Sequence, residues 1–169
     1  METPTPVITD PERQFVGCLL WLRLDPARRV LAGMRADDLA DPMCAQVLQL
    51  VIEVVAAGHA PCPTTVFAHA TATGRAPGEE RARLGMWLAD TYGHTVQVPD
   101  LAFHLKAVVL EAAWRRAIAE YATRLLHAAE TSPTEVLHAL TDDHDSADEL
   151  WQRYRAALIH ATTSLEVAA

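Results

Sequence analysis

The residue types that could perform catalysis or bind a metal are thinly spread along this chain. The eight histidines occur singly, at His59, His69, His94, His104, His127, His138, His144 and His160. A metal site needs several ligands that converge on one point, and the chain has neither an HExxH motif nor the paired Cys/His spacing of zinc sites. His138 and His144 lie near an acidic stretch and form a weak divalent-metal candidate. Solvated histidines at helix ends are the preferred interpretation.

The other chemical signatures point in the same direction. Cys18, Cys44 and Cys62 are odd in number and widely spaced, which is typical of free thiols and not of a disulfide framework. A phosphate-binding P-loop ends in Gly-Lys-Ser/Thr, but the sole lysine, Lys106, follows Leu105 inside a predicted helix. GxGxxG and GxSxG motifs are also missing from the sequence. We therefore predict a protein that is not an enzyme, with no catalytic residues, no cofactor and no metal.

A small basic cluster is the weak candidate for nucleic-acid contact. Arg115, Arg116 and Arg124 lie on one predicted helix, where they could face a phosphate backbone. Pairing with Glu111 and Glu120 at helical spacing is the preferred interpretation. The formal net charge of −8 also argues against broad binding to DNA or to a membrane surface. Direct DNA binding is predicted to be weak or absent.

The elements that would position these residues are predicted to be helices. Four prolines directly follow a residue that caps helices, at Asp10-Pro11, Asp25-Pro26, Asp41-Pro42 and Ser132-Pro133. Proline suits the first helical position, since its φ is preset and it lacks a donor that would be unsatisfied there. Half of the residues are hydrophobic but only 6% are aromatic, which favours closely packed helices over a sheet.

The apolar spacing and the stop signals divide the chain into helices of unequal length. Glycines mark helix ends at positions 33, 58 and 74, and residues 92–98 are predicted to form a loop with some extended character. Capping boxes are predicted at 132–135 and 146–149. The predicted helices span 11–22, 26–33, 42–57, 64–73, a short stretch around 84–88, 99–129, 133–140 and 146–161.

The fold class predicted from this pattern is all-α: a compact bundle of short helices, then a long helix and an antiparallel helical hairpin extension. The chain divides into a flexible arm (1–9), a globular helical bundle (10–98), a hairpin for oligomerisation (99–165) and a tail (166–169). No stretch approaches the roughly 20 apolar residues that would span a bilayer. We therefore expect no membrane contact and a cytoplasmic location.

The long helix is apolar on two sides, which is typical of a helix that packs against its own domain and against something else. This pattern predicts a homo-oligomer. Trp114 and Trp151 either pack within the hairpin, the preferred interpretation, or anchor a protein interface. An acidic run at 130–149 lacks Lys and Arg and is read as a solvated connection, with docking of a basic partner as the alternative. The candidate self-association or partner surface comprises Trp114, Tyr121, Leu125, Trp151, Tyr154 and Leu158.

Residues 11–118 resemble the N-terminal domain of DnaB-type replicative DNA helicases. The family's first helix has a glycine and an apolar pair like those in Pro11–Leu20, and its Asp-Phe-x-Asp-Pro motif is similar to Asp37–Pro42. The stop at Ala57-Gly58 also fits. Further similarities follow in order at Thr65-Val66, Trp87-Leu88, Val108 and Arg115-Arg116. The chain departs from the usual family residues at Cys44, Cys62, Arg83-Leu84 and His104.

This resemblance implies a domain that assembles and recruits. In the family such domains form a collar of paired hairpins, a trimer of dimers, and help to bind primase and loaders. We therefore expect a divergent, stand-alone domain without the ATPase motor, which forms a dimer or a trimer of dimers and docks a replicative helicase, primase or loader. The alternative function is a helical nucleic-acid-binding regulator.

Overall fold

The computed structural model describes residues 10–98, 100–143 and 145–167, with only the helix backbone described from residue 162 onward. The described part is all-α, as predicted, and contains no strand. The predicted flexible arm, the helix start at Pro99, His144 and the last two residues of the predicted tail lie outside the described residues. The helices are α1 (Pro11–Trp21), α2 (Leu24–Leu31), α3 (Pro42–Ala56), α4 (Pro63–Ala72), α5 (Glu79–His94), α6 (Leu101–Thr131), α7 (Thr134–Thr141) and α8 (Asp145–Val167), with a 3₁₀ turn at Ala36–Asp38.

Two of the four proline-marked helix starts are confirmed. The Asp10 carboxylate accepts hydrogen bonds from the backbone N–H groups of Glu12 and Arg13, both at 3.1 Å. The Asp41 carboxylate accepts one from the N–H of Cys44 at 2.7 Å. In both helices proline follows the cap, so the sequence signal and the geometry agree.

The other two starts and the second capping box were wrong. Helix α2 begins at Leu24, so Asp25 lies in its first turn instead of capping it. Ser132 is the C-cap residue of α6, and α7 begins two residues later without a side-chain cap. Helix α8 begins at Asp145, which places Ser146 inside the helix. Asp and Ser stabilise several positions near a helix start, so their presence marks the region better than the exact residue.

Helix α5 is longer than the short helix predicted. It has 16 residues, and neither Gly85 nor Gly93 interrupts it. Its buried side, Leu84, Leu88 and Thr91, packs where α1 and α4 meet it. Tertiary packing of this side outweighs the low helix propensity of glycine. The predicted loop at 92–98 is therefore shorter, and residues 95–98 have no regular structure.

The centre of the core is formed by α1, α3 and the first half of α6, and α2, α4 and α5 contribute further buried side chains. Phe15, Leu19, Leu48, Val51 and Leu110 are completely or almost completely buried in it. Each such side chain contributes roughly 1.5–3 kcal/mol of hydrophobic stabilisation. Since α6 enters this core directly, its first turns are continuous with the bundle. The predicted boundary between residues 98 and 99 stays a prediction.

Helices α6 and α8 form an antiparallel pair joined through α7. The Tyr121 hydroxyl donates to the carbonyls of Leu140 (3.1 Å) and Thr141 (3.0 Å), and further along, the rings of Trp114 and Trp151 lie 4.9 Å apart. The residue later in α6 contacts residues 140 and 141, whereas the residue earlier in α6 contacts residue 151. The returning chain therefore runs in the opposite direction to α6, as in antiparallel helices. None of the helices in the described ranges is long and apolar enough to cross a membrane.

Helix α1 is closely packed at a glycine. A Cβ atom placed on Gly17 would lie 1.9 Å from Oγ1 and 2.9 Å from Cβ of Thr95, far inside van der Waals contact. The Thr95 side chain is buried, and its hydroxyl donates to the carbonyl of Thr91 at 2.6 Å. The chain after α5 therefore packs directly onto the backbone of α1.

Candidate protein interface on the α6–α8 hairpin

An aromatic cluster joins the two long helices. Trp114 of α6 contacts Trp151 of α8, with a ring-centroid distance of 4.9 Å and an interplanar angle of 42°. Tyr154 lies 5.6 Å from Trp151, and the Arg155 guanidinium lies 5.7 Å from the Trp151 ring centre. Tilted aromatic pairs at such distances contribute about 0.5–1.5 kcal/mol beyond their burial. The two tryptophans therefore pack on each other within the hairpin.

The remaining predicted surface residues lie further along the same helices. Tyr121 is half-buried and joined to the end of α7 by its hydroxyl. The guanidinium of Arg124 lies 5.9 Å from the Tyr121 ring centre, which is within cation–π range. Leu125 is half-buried, and Leu158 on α8 is exposed. The predicted set is thus partly internal to the hairpin and partly on its surface.

The two adjacent arginines are engaged in intramolecular contacts. Arg115 forms an ion pair with Glu111 one turn earlier, at 2.7 Å, as the helical spacing predicted. Arg116 does not pair with Glu120. Its guanidinium donates instead to the backbone carbonyl of Asp38 and, at 3.4 Å, to Glu12. The long-range partner of Arg116 was not visible in its local sequence.

Large apolar side chains are exposed on the outer faces of all three hairpin helices. Ile118, Ala122 and Leu126 are exposed and follow one another at intervals of four along α6, so they share one face. Leu126 is 65% exposed, and Ile159 on α8 is 63% exposed. Val136 on α7 is also exposed. Sequence reasoning missed Ile118, Leu126 and Ile159, because they fall outside the stripe that seals the hairpin.

A buried acidic residue holds α8 against the bundle. The side chain of Asp38 is 2% exposed, and its Oδ2 accepts from the Arg153 guanidinium and, at 2.7 Å, from the backbone N–H of Arg35. Arg153 also donates to the carbonyl of Gly33 at 2.7 Å. Arg35 in turn forms an ion pair with Glu149 at the start of α8. These contacts tie α8 to the loop between α2 and α3.

Sequence reasoning assigned no role to this network, although Asp38 lies in the Asp37–Pro42 motif that carries the family resemblance. Nothing in the sequence shows which arginine more than 100 positions away will approach it. The network surrounds a cleft of about 280 Å³ lined by Arg35, Arg116 and Arg153 together with Asp37, Asp38, Glu120 and Glu149. Opposite charges alternate around this cleft, so it presents no uniform electrostatic potential to a charged ligand.

The sole lysine lies beside this network. The buried Lys106 ammonium donates to the carbonyl of Ala32 at 2.6 Å. Burial, assisted by the nearby Arg153 charge and opposed by Asp38, lowers the pKa of Lys106 to about 8. Folding therefore favours the neutral amine relative to the unfolded chain, whose lysine pKa is about 10.4. The charged form is a destabilising feature of the fold at neutral pH.

This lowered pKa predicts a pH-dependent stability. Because the unfolded chain binds more protons between about pH 8 and 10.4, the lysine contribution to stability should rise across that window. We expect the wild type to gain roughly 2 kcal/mol there relative to Lys106→Met, which does not titrate. Urea denaturation of both proteins at several pH values measures the difference. A pH-independent difference between the two proteins would show that Lys106 keeps an ordinary pKa.

The histidines, cysteines and carboxylates of the described residues are the possible metal ligands. Among the residues described, no group of three or more His, Cys, Asp or Glu side chains is placed to hold an ion. His69 Nε2 lies 2.8 Å from one carboxylate oxygen of Glu53, and the Arg75 guanidinium lies 2.8 Å from the other, so His69 belongs to an ion-pair cluster. The predicted candidate of His138 and His144 cannot be compared, since His144 lies outside the described residues.

These features define a class of domain: a small helical bundle that extends into an antiparallel hairpin with exposed apolar side chains. Comparison with known structures places the fold. It is similar to the crystal structure of the N-terminal domain of DnaB helicase from Mycobacterium tuberculosis, with a TM-score of 0.62 and 18% sequence identity. The similarity covers 88% of this chain and 94% of that one. The chain therefore has the fold of a DnaB helicase N-terminal domain, as the sequence resemblance predicted.

The sequence itself has diverged. No protein-family model and no curated protein matches it. At 18% identity the shared property is the fold, which constrains the core and the helix order more than the surface. The chemistry of the surface therefore depends on this chain's own residues.

Proposed function

We propose that this protein is a non-enzymatic domain that self-associates and docks a protein partner in DNA replication. The fold similarity spans nearly the whole of the helicase N-terminal domain, and that domain comes from a DNA helicase. The observation that carries the proposal is the row of exposed apolar side chains on the hairpin. Ile118 and Leu126 share one face of α6, and exposed apolar side chains grouped in this way are typical of protein interaction surfaces.

The surface we assign to self-association consists of Ile118 and Leu126 on α6 with Leu158 and Ile159 on α8, and we call it the hairpin face. Burying these side chains in a dimer removes apolar area from water and supplies the driving force for association. The half-buried aromatic residues Trp114 and Trp151 pack on each other and hold the two helices together. In the cell, the proposed docking partner is a replicative helicase, primase or loader. The proposed location of the protein is the cytoplasm.

The geometry supports the alternative, a nucleic-acid-binding regulator, less well. A phosphate-binding helix presents unpaired basic side chains, whereas Arg115 is paired with Glu111 and Arg116 contacts Asp38 and Glu12. Titration with single- and double-stranded DNA at two salt concentrations tests this alternative. Binding that weakens steeply with salt would favour it over a purely protein-binding role.

Charge substitutions on the hairpin face should weaken self-association. In light scattering, we expect the wild type to have at least the mass of a dimer. Leu126→Glu or Leu158→Glu should shift the protein to a monomer, because each places a charge in an apolar interface. The expected loss of affinity is roughly tenfold or more, corresponding to about 1.4 kcal/mol.

Met86→Glu is the matched control. Met86 is 69% exposed on α5, outside the hairpin face, so its replacement should leave the mass unchanged. A wild type that stays monomeric at the highest soluble concentration would reject the proposal. An unchanged mass in both hairpin variants would reject this choice of surface.

A further inference from the structure

The exposed side of α2 carries a concentration of arginines. The apolar side of this helix is buried in the core, so Arg28 and Arg29, which are exposed, project from the other side. Arg23, the N-cap residue of the same helix, is exposed as well. We call Arg23, Arg28 and Arg29 the α2 arginines.

Most of this positive charge is uncompensated. Among the residues that the structure describes, Arg23 and Arg29 form no ion pair. Arg28 pairs with Asp25 at 3.3 Å, but the two side chains are 52% and 85% exposed, and such exposed pairs are weak. The α2 arginines therefore present a basic surface on a chain whose net charge is −8.

Negative charge is concentrated at the other end of the molecule, where α6, α7 and α8 join. Glu130, Glu135, Asp142 and Asp143 are exposed there, and within the described ranges none of them forms an ion pair. Positions 125–152 contain no Lys or Arg. We call these four carboxylates the acidic tip. The chain therefore carries two exposed surfaces of opposite charge.

The long helix keeps these two surfaces apart within one molecule. The Lys106 ammonium donates to the carbonyl of Ala32 at 2.6 Å, which places the C-terminal end of α2 beside residue 106 of α6. Tyr121, whose hydroxyl contacts the residue before Asp142, is 15 positions further along α6, or about 22 Å at 1.5 Å per residue. The helix ends at Thr131, about 38 Å from the same point. An ion pair requires a separation of about 4 Å, so each charged surface is available to another molecule.

We propose that the acidic tip of one copy docks on the α2 arginines of a second copy. The two surfaces are complementary in charge, which favours their encounter and fixes their orientation. Both belong to the same chain, so every copy offers one of each. The contact is heterologous, because the surface that one copy contributes differs from the surface that it meets. It joins the end of one hairpin to the bundle of the next molecule.

This inference rests on the proposed function, because it adds a second surface to the proposed self-association. Contacts between exposed charges are weak one at a time. A dimer formed through the hairpin face carries two acidic tips and two sets of α2 arginines, and linking binding sites in this way raises the effective affinity without any new contact. The acidic tips should therefore link dimers into larger assemblies, whereas single molecules should not assemble through them.

Sedimentation velocity of the full chain at two salt concentrations tests this contact. The Debye length is about 10 Å at about 0.1 M salt and about 3 Å at about 1 M. We expect the wild type to form assemblies larger than a dimer at the lower salt concentration and dimers at the higher one, because salt screens the charges but not the apolar hairpin face. Arg28→Glu/Arg29→Glu and Asp142→Lys/Asp143→Lys should each remain dimers at both, with the linkage weakened roughly tenfold or more.

An equimolar mixture of these two variants gives the sharpest comparison. The reversed tip of one variant then meets the reversed α2 surface of the other, so attraction returns and assemblies larger than a dimer should form again. This restoration would also show that both variants are folded. Arg81→Glu/Arg83→Glu, at exposed positions of α5, is the matched control. It changes the net charge as much as the α2 variant does and should leave the wild-type assembly unchanged.

A mixture that stays dimeric would overturn the proposal, and so would a wild type that is a dimer at both salt concentrations. The hairpin face would stand in either case. A wild type that is a monomer at about 1 M salt would reject the hairpin face, and this inference with it. If Arg28→Glu/Arg29→Glu kept the wild-type mass but lost binding to double-stranded DNA, the α2 arginines would belong to a nucleic-acid surface, and the proposal would fail.

Discussion

Gly17→Ala should destabilise the protein by about 3 kcal/mol, at the upper end of the usual cost of overpacking. The new methyl group would lie 1.9 Å from the Thr95 hydroxyl oxygen, so Thr95 must rotate or the backbone must move. Rotation would break the 2.6 Å hydrogen bond to the Thr91 carbonyl inside a buried site. Movement of the backbone would separate α1 from the end of α5. Thermal or urea denaturation monitored by circular dichroism gives the change in stability.

Gly93→Ala is the matched control for this substitution. Gly93 lies near the end of α5, and a Cβ atom there would meet no heavy atom within 4 Å. Alanine should therefore be neutral or stabilising by up to about 1 kcal/mol, as expected from helix propensity. If both variants lost stability equally, close packing at Gly17 would not be the cause.

Asp38→Ala should have a similarly large effect, of about 3–5 kcal/mol. Removing one member of a buried ion pair leaves the other charge without compensation. Here Arg153, most of whose side chain is buried, would lose its carboxylate, and the N–H of Arg35 would lose its acceptor. We also expect Asp38→Ala to accelerate backbone hydrogen exchange in α8 more than in α3, because the network attaches α8 to the bundle.

A double-mutant cycle with Arg153→Met separates the pair from its surroundings. The double variant should lose less stability than the sum of the two single variants, with a coupling of at least about 1 kcal/mol. Asp25→Ala is the surface control, because Asp25 and Arg28 are both largely exposed and such pairs contribute little. Additive losses at Asp38 and Arg153 would contradict a coupled buried pair.

The helical class and much of the helix order could be predicted from the sequence, because they depend on local physics. Asp10 and Asp41 cap the helices that their sequence context predicted, and glycines with positive φ follow α2, α3 and α4 at positions 33, 58 and 74. Caps, apolar spacing and left-handed glycines act over a few residues, so a linear reading detects them.

The boundaries of some helices could not be predicted from the sequence, because they depend on tertiary contacts and not on local physics. Helix α5 continues through two glycines because α1 and α4 bury its apolar side. Local propensity is worth at most about 1 kcal/mol per residue, and burial of several leucines outweighs it. Ser132 carries a capping signal, but the end of α6 uses that residue as its own C-cap.

The candidate interface was also predicted in part from the sequence and revealed in part only by the structure. Packing of Trp114 on Trp151 within the hairpin was the preferred interpretation of the sequence, and the two rings are in contact. Which apolar side chains remain exposed depends on where α8 lies across α6, so Leu126 and Ile159 emerged only from the three-dimensional arrangement.

The sequence by itself determined an all-helical chain without catalytic motifs, since these properties follow from residue type and short-range spacing. The tertiary structure alone decided which distant charges meet, as Asp38 and Arg153 do across 115 positions, and which backbone can approach which, as Gly17 and Thr95 do. Such contacts follow from how whole helices pack, and the free energy that selects them belongs to the assembled core and to no single segment.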